Sequence, residues 1–527
     1  MKLSAIAAAA AAAAALLLSP TGLVAQPARQ GSALAAAPPV PTEPLPAALA
    51  SYIEAAREQW KVPGLVVAVV RTGQPAAAQG FGVRTLGRTE RVDPGTVFNI
   101  ASLTKAFTAT AAGILVDERR LGWDDPVRRW MPASEFQDPW LSREITITDL
   151  LSHRTGLDPR NGPWILTGFD RAEVIGRLRH LKPVAPFRTR QVYNNILYTL
   201  GGEAVAAASG SSWEELVRTR LIVPLEMAST GFGVPKGPNV ASPHAMIAGE
   251  TRPIRHADYT NVGPAGSVHS SAADLIRWMR LNLARGQIDG RRIVSEASMN
   301  HIQHPHAIIP TTPAMRSARQ VSFFAGYGLG WNVMDYRGRS AIWHSGAAEG
   351  MPAYLILLPA EGLGVLVMAN SREAGALRGD IASRVLDHYL NLPTRDYAGE
   401  TLARMRQASP APAAQETPRR PPGAAAASGL PAAGYLGVYR TDLYGDVRVF
   451  EDGSKLKVQV AEGQGGELRH LNRDSYAIIW DDPYYAEIYP STITFEFDAA
   501  GAVAGASIML DGELAKGVPI GTPGTAS

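Results

Sequence analysis

The sequence predicts a mixed α/β (α+β) chain: an antiparallel sheet flanked by helices, with an inserted helical subdomain, followed by a small C-terminal antiparallel β-barrel. Three observations predict it. Apolar, strand-like runs sit near both ends of residues 45–395 and helical spacing dominates between them. Hydrophobic residues make up 46% and charged residues 19% of the 527, enough to bury a core. Beyond a Pro/Ala-rich stretch, the hydrophobic period changes to two.

In chain order, residues 1–25 ("MKLSAIAAAAAAAAALLLSPTGLVA") read as a secretory signal peptide. Lys2 is the positive start, Ala5 to Leu18 the apolar stretch, and Ala25 a small residue suited to cleavage. Fourteen or so apolar residues are too few for a comfortable bilayer span, so periplasmic or secreted export is expected, with no stable membrane insertion after cleavage. Residues 26–44 read as a linker. From Leu45, Leu49, Tyr52, Ile53, Ala56 and Trp60 recur at helical spacing. "GLVVAVV" (64–70) is a buried strand and "AAAQGFGV" its hairpin partner. The middle, 115–275, reads as mostly helical. "AYLILL" and "GLGVLVMAN" flank the turn "PAEG" as a second hairpin, and Leu377, Ile381, Val385, Leu386 and Tyr389 mark a closing helix. Residues 396–432 read as a second linker, and 433–527 as the barrel, with turns at Asp452-Gly453 and Asp511-Gly512.

Charge and cysteine narrow the function. A net charge of +3 without a dense Lys/Arg run gives no support to nucleic-acid binding. With 0 cysteines there are no disulfides and no acylation site for a lipoprotein anchor. H-E-x-x-H and G-x-S-x-G are both absent. "HIQHPH" clusters His301, His304 and His306 without an acidic or cysteine partner, so a solvated loop is expected and no metal or other cofactor.

Positive chemistry begins at "ASLTK". Ser102 and Lys105 are three apart, so on a helix they share a face. A serine hydroxyl is a poor nucleophile and needs a base. Lysine becomes one when burial lowers its pKa, and "AFTATAAGILV" is apolar enough for that. Ser102 also lies near a helix start, where unpaired N–H groups can hold a developing oxyanion.

S-x-x-K alone is weak, but two partners follow in order: Tyr193 and Asn195 in "QVYNNILYTLGGEAV", and His344-Ser345-Gly346 in "AIWHSGAAEG". With "LLSHRTGLD", "GPAGSVHSSAADLIRWM" and "YGLGW", this order over residues 45–392 resembles the serine β-lactamase and D,D-peptidase superfamily, in its class C-like branch. The resemblance implies the β-lactamase/transpeptidase-like fold and these roles. Ser102 attacks a carbonyl and is acylated. Lys105 takes or relays the proton, and Tyr193 shuttles it to the leaving group. Asn195 orients Lys105 and the substrate amide, and His344 takes the place of the third-motif lysine. Ser345 and Gly346 border the substrate, Gly346 allowing its close approach, and the N–H groups of Ser102 and Ala347 form the oxyanion hole. Residues 433–527, with "YLGVYRTDLYGDVRVF", resemble the lipocalin-like domain appended to some such hydrolases, with a packing or substrate-fencing role.

H-S-G in place of K-T-G removes a permanent cation, and Glu349 adds a carboxylate, so an anionic β-lactam is disfavoured. The expected function is an exported serine hydrolase acting through an acyl-enzyme on peptide or amide bonds, as a D-aminopeptidase or carboxypeptidase would. A carboxylesterase, a β-lactamase and a non-catalytic acyl-donor or peptide-binding protein are the alternatives. The partner is a small peptide, amide or ester; oligomeric state is open. His153 is expected to be a hydrogen-bonded structural residue. Tyr327, Trp331 and Trp343 are candidates for the cleft wall or the core.

Overall fold

The computed structural model describes residues 42–311, 324–408, 429–510 and 512–520. The expected signal peptide and nearly all of the first linker lie outside the described residues. So does 409–428 of the second; the rest of that second linker includes a helix, Tyr397–Ala408, a departure from the sequence reading. Its sparse apolar residues Ala398 and Leu402 pack on the layer formed by the preceding helix, and Tyr397 Oη donates to Asp387 of that helix, which composition alone does not reveal.

The sheet is laid down from both ends of the hydrolase region. Gly64–Arg71 pairs antiparallel with Ala76–Gly82 on one side and with Leu363–Ala369 on the other. The order then continues through Met351–Leu358, Arg339–Ala348, Asn332–Tyr336, Ala325–Tyr327 and Ala307–Ile308. Only the edge pair of Thr42–Glu43 with Ala76–Gly82 is parallel in this nine-stranded sheet. Period-two side-chain alternation between two buried faces explains why residues 64–70 read as an unbroken apolar run. Leu65, Val67 and Val69 enter one core layer with the helices Ala47–Gln59 and Ala374–Tyr389. Val66, Ala68 and Val70 enter the other, beneath the inserted region.

That other layer centres on the helix Thr104–Asp117, buried from Thr104 through Leu115. Phe107 stacks on Trp278 of the helix Ala272–Leu283, with ring centroids 3.9 Å apart. The middle is less helical than its sequence suggests. Several helices span only four to six residues, and a three-stranded sheet joins Val97–Asn99, Val268–Ser271 and Gly231–Phe232. Strands of two to four residues show no readable period.

The C-terminal region closes into an eight-stranded barrel in sequential order, Gly437–Thr441 pairing with both Gly445–Asp452 and Glu513–Ile520. Tyr435, Tyr439, Val447, Val458, Trp480 and Phe495 help fill it. It docks through polar and apolar contacts. Gln464 N–H donates to Leu166 O (2.8 Å) and Arg177 Nη1 to Asp442 O (2.9 Å), while Leu166 and Ala245 join the barrel core. Among the described residues, no helix is long and apolar enough to cross a membrane.

Candidate active site

Ser102 lies on a single 3-10 turn, Ala101–Leu103, between the strand Val97–Asn99 and the buried helix, rather than on the helix itself. The turn is strained. Ala101 has φ 46°, a left-handed conformation costing roughly 1–2 kcal/mol for a residue with a Cβ. Asn99 Oδ1 holds it by accepting the Ala101 N–H at 2.7 Å. The strand Arg339–Ala348 presses on the same turn. A Cβ on Gly346 would meet Ile100 O at 2.2 Å, so the glycine admits the close approach of this chain's own backbone.

Lys105 is 0% exposed. Its Nζ stands 3.0 Å from Ser102 Oγ, 2.8 Å from Asn195 Oδ1 and 2.8 Å from Ala265 O. Burial holds its pKa well below the usual lysine value, and no carboxylate offsets that. In its neutral form, which burial favours, the amine has two N–H groups and one lone pair. The amide and carbonyl oxygens can only accept, so they take the two protons. The lone pair is left facing the serine hydroxyl, the arrangement general-base activation requires. Asn195 is oriented for this by its own Nδ2, which donates to Asn161 Oδ1 at 3.2 Å.

Tyr193 comes from the loop before the helix Asn195–Ser209, and its phenol lines the same cleft as Ser102, near enough for the serine hydroxyl to act on it. Burial raises the phenol pKa and the serine hydroxyl draws it back, so Tyr193 is protonated at neutral pH and able to donate. Lys105 Nζ lies 4.8 Å from its ring centre. His153 clamps both of its neighbours: His153 O accepts Val192 N–H at 2.7 Å, and Nδ1 accepts Asn194 N–H at 3.1 Å. The ring itself packs 4.2 Å from that of Tyr193, in line with the structural reading of this histidine. Asp149 ties the two ends of this region, accepting from Arg154 (2.6 Å) and Arg188 (2.7 Å).

His344 departs from its expected role. Nδ1 lies 2.8 Å from Ser345 O, an acceptor, so it carries the proton; Nε2 then accepts from Tyr327 Oη at 2.9 Å. Burial pushes its pKa down to about 3. It is neutral with both nitrogens committed and lines the cleft, so it does not supply the cation that a third-motif lysine would. Glu349 is also corrected: burial lifts its carboxyl to about 7, so it is not a fixed anion. Tyr327 and Trp331 are core, whereas Trp343 borders the cleft.

The cleft measures about 520 Å³, and Ser102, Tyr193, Asn195, Ser345 and Ala347 line it. Pairing of Arg339–Ala348 with Asn332–Tyr336 stops at Trp343, so residues 344–348 lack a strand partner on that edge among the described residues. An extended substrate could lie along it. Four contributors were not legible in sequence. Ala265 acts through its carbonyl, Tyr198 through a 2.7 Å bond to Lys105 O, and Asn161 through Asn195. Tyr489 of the barrel forms part of the wall. Backbone acceptors and cross-domain neighbours leave no local pattern. Among the described residues no group of His, Asp or Glu is arranged to hold a metal, His301, His304 and His306 included.

A family model described as Beta-lactamase matches residues 49–390. The chain belongs to this family. In the beta-lactamase family, curated relatives include unguisins hydrolase ungD' of Aspergillus campestris, 27% identical over 62% of this chain and 62% of the relative. The chain thus spans less than two thirds of that protein. Unguisins hydrolase ungD of Aspergillus violaceofuscus is 25% identical over 82% of this chain and 81% of the relative. Penicillin-binding protein 4 of Amycolatopsis lactamdurans is 30% identical over 63% of this chain and 87% of the relative. Among solved structures, the octameric penicillin-binding protein homologue from Pyrococcus abyssi superposes with TM-score 0.60 at 21% identity, covering 89% of this chain and 99% of that one. SurE gives 0.54 at 22%, covering 90% and 98%. Both show the shared fold. A second family model, a domain of unknown function (DUF3471), matches residues 421–516, the barrel and residues before it.

Proposed function

We propose that the protein hydrolyses peptide or related amide bonds through an acyl-enzyme on Ser102. The observation that carries this reading is the 3.0 Å approach of a buried lysine amine to a serine hydroxyl in a cleft that the Tyr193 phenol also lines. In the first step Ser102 Oγ bonds to the substrate carbonyl carbon and its proton passes to Lys105 Nζ. Tyr193 gives its proton to the departing amine nitrogen as the C–N bond breaks, and is refilled from Lys105. Water then attacks the ester, losing its proton to the same pair, and Ser102 Oγ leaves protonated. An amide needs this relay because an amine anion is a very poor leaving group.

The uncharged His344 in the third motif disfavours substrates that need a cation for a carboxylate, as β-lactams do. The relatives named unguisins hydrolase support hydrolysis as the reaction class. The aromatic wall of Trp164, Trp343 and Tyr489 favours neutral acyl groups and supports esterase activity as a second reading. Export guided by residues 1–25 is part of the proposal, checked by cell fractionation and N-terminal sequencing of the mature protein. The deciding experiment is a panel of a D-aminoacyl p-nitroanilide, a short-chain p-nitrophenyl ester and a chromogenic cephalosporin, with a fluorophosphonate probe mapped by mass spectrometry. Label on Ser102 and fastest anilide turnover are expected. Full activity in Ser102→Ala would overturn the assignment.

A further inference from the structure

A second cavity, of about 700 Å³, borders the catalytic cleft. The two share Trp164, Ile165, Tyr259 and Glu349 in their walls. The far side is formed by the barrel, through Glu462, Gly463, Gln464 and Tyr485.

Its charge is unbalanced. Asp170, Asp258, Glu349 and Glu462 face only Arg171 and Arg255. Both guanidiniums are committed to carboxylates that do not line the cavity. Arg171 pairs with Glu203 (2.8 Å) and Glu214 (2.5 Å), and Arg255 pairs with Asp482 of the barrel (2.7 Å). Glu349 Oε2 is buried and, among the described residues, has no hydrogen-bond partner. A buried carboxylate oxygen left unpaired is costly, and a ligand that donates to it recovers that cost. Around it stand the rings of Trp164 and Tyr259, 5.7 Å apart, surfaces that suit a cation, while the Arg255 guanidinium already lies over the ring of Tyr485, 5.3 Å from its centre.

We propose that this second cavity is a subsite for a primary ammonium group of the substrate, with Glu349 as its counter-ion and the C-terminal barrel as its outer wall. The inference rests on the reading of the adjoining cleft as the hydrolytic site, since Glu349 lines both spaces. It gives the barrel a function: without the Arg255–Asp482 pair and the ring of Tyr485, the amine would sit in open solvent, where one carboxylate is worth little. Arg255, Asp482, Tyr484 and Tyr485 are the titratable groups that act on Glu349 from its surroundings. Its raised pKa means that an arriving ammonium draws the proton off the carboxyl, so binding near pH 6.5 releases protons.

The test uses the full chain carrying Ser102→Ala and p-nitroanilides of one, two and three D-alanines, each paired with its N-acetyl twin. Calorimetry should find at least one free amine bound about tenfold more tightly than its twin, the equivalent of about 1.4 kcal/mol. Heats in buffers of different ionisation enthalpy should report proton release for the amine alone. Adding Glu349→Gln should bring the ratio to near one, and Glu349→Asp should keep part of it. Equal affinities in every pair, or a ratio untouched by Glu349→Gln, would overturn the subsite. Turnover of the same series by the unsubstituted enzyme tests the other reading separately. If no compound is hydrolysed in a Ser102-dependent way, the proposed reaction falls, while the binding ratios still decide the subsite.

Discussion

Substituting Gly346 by alanine tests whether the strand and the serine turn are one mechanical unit. The added Cβ would stand 2.2 Å from Ile100 O, 3.0 Å from Ile100 C and 3.3 Å from Ala101 Cβ. Real Cβ contacts essentially never fall below 3.0 Å, so turn or strand must move apart by about 0.8 Å. Ile100 and Ala101 immediately precede Ser102, and Ala101 already holds a strained φ of 46°. The displacement therefore reaches the nucleophile and the strand edge together. A misplacement of roughly 1 Å at a reacting centre costs about a hundredfold in rate, and overpacking of this kind costs about 1–3 kcal/mol of stability. The assay is kcat on a p-nitrophenyl ester, with the fluorophosphonate labelling rate as a measure of Ser102 alone and a thermal melt for stability. The expected result is a loss of about two orders of magnitude in kcat and labelling, with a lower Tm. A variant that keeps kcat within threefold and melts normally would refute the coupling.

Lys105→Ala and Tyr193→Phe should each remove most of the turnover, and the double variant should be little worse than either, because the two act as a unit; additive losses in kcat would separate their roles. His153→Phe should leave the buried Asn194 N–H without an acceptor, at a cost of about 1–3 kcal/mol, and lower kcat more than it raises KM, since Tyr193 loses its anchor; an unchanged kcat would leave the histidine a packing role only. Glu349→Gln should raise Tm relative to the parent at pH 8 but not at pH 5. The native carboxyl titrates at about 7 against an ordinary 4.5, so the folded state holds a proton the unfolded chain has lost, and stability falls as pH rises across that window. The handicap removed has an upper bound of about 3 kcal/mol. Parallel Tm–pH curves for the two proteins would rule this out.

How much was legible follows from the range of each signal. The runs 64–70 and Leu363–Ala369 could be read as strands because they carry no polar side chain and turns bound them. Their pairing with each other across nearly the whole hydrolase region could not, since nothing local encodes a neighbour about three hundred residues away. Ser102, Lys105, Tyr193 and Asn195 were legible as residue types in a telling order. The sign of the lysine was not: its neutrality depends on burial and on acceptors drawn from Asn195 and the Ala265 carbonyl. His344 shows the same limit from the other side. Its type suggested a titrating group in contact with substrate, and its packing against Tyr327 and its own strand makes it a fixed, uncharged strut.

The sequence by itself determined the chemical inventory: a hydroxyl, an amine and a phenol in order, a period-two barrel at the end, no thiols. Only the tertiary structure decided which groups meet, which of them carry charge, and that the barrel wall reaches the cleft through Tyr489. The physical reason is that covalent order sets which groups exist, whereas pKa and reactivity are set by the solvent removed and the dipoles supplied within a few ångströms, and those neighbours come from distant parts of the chain.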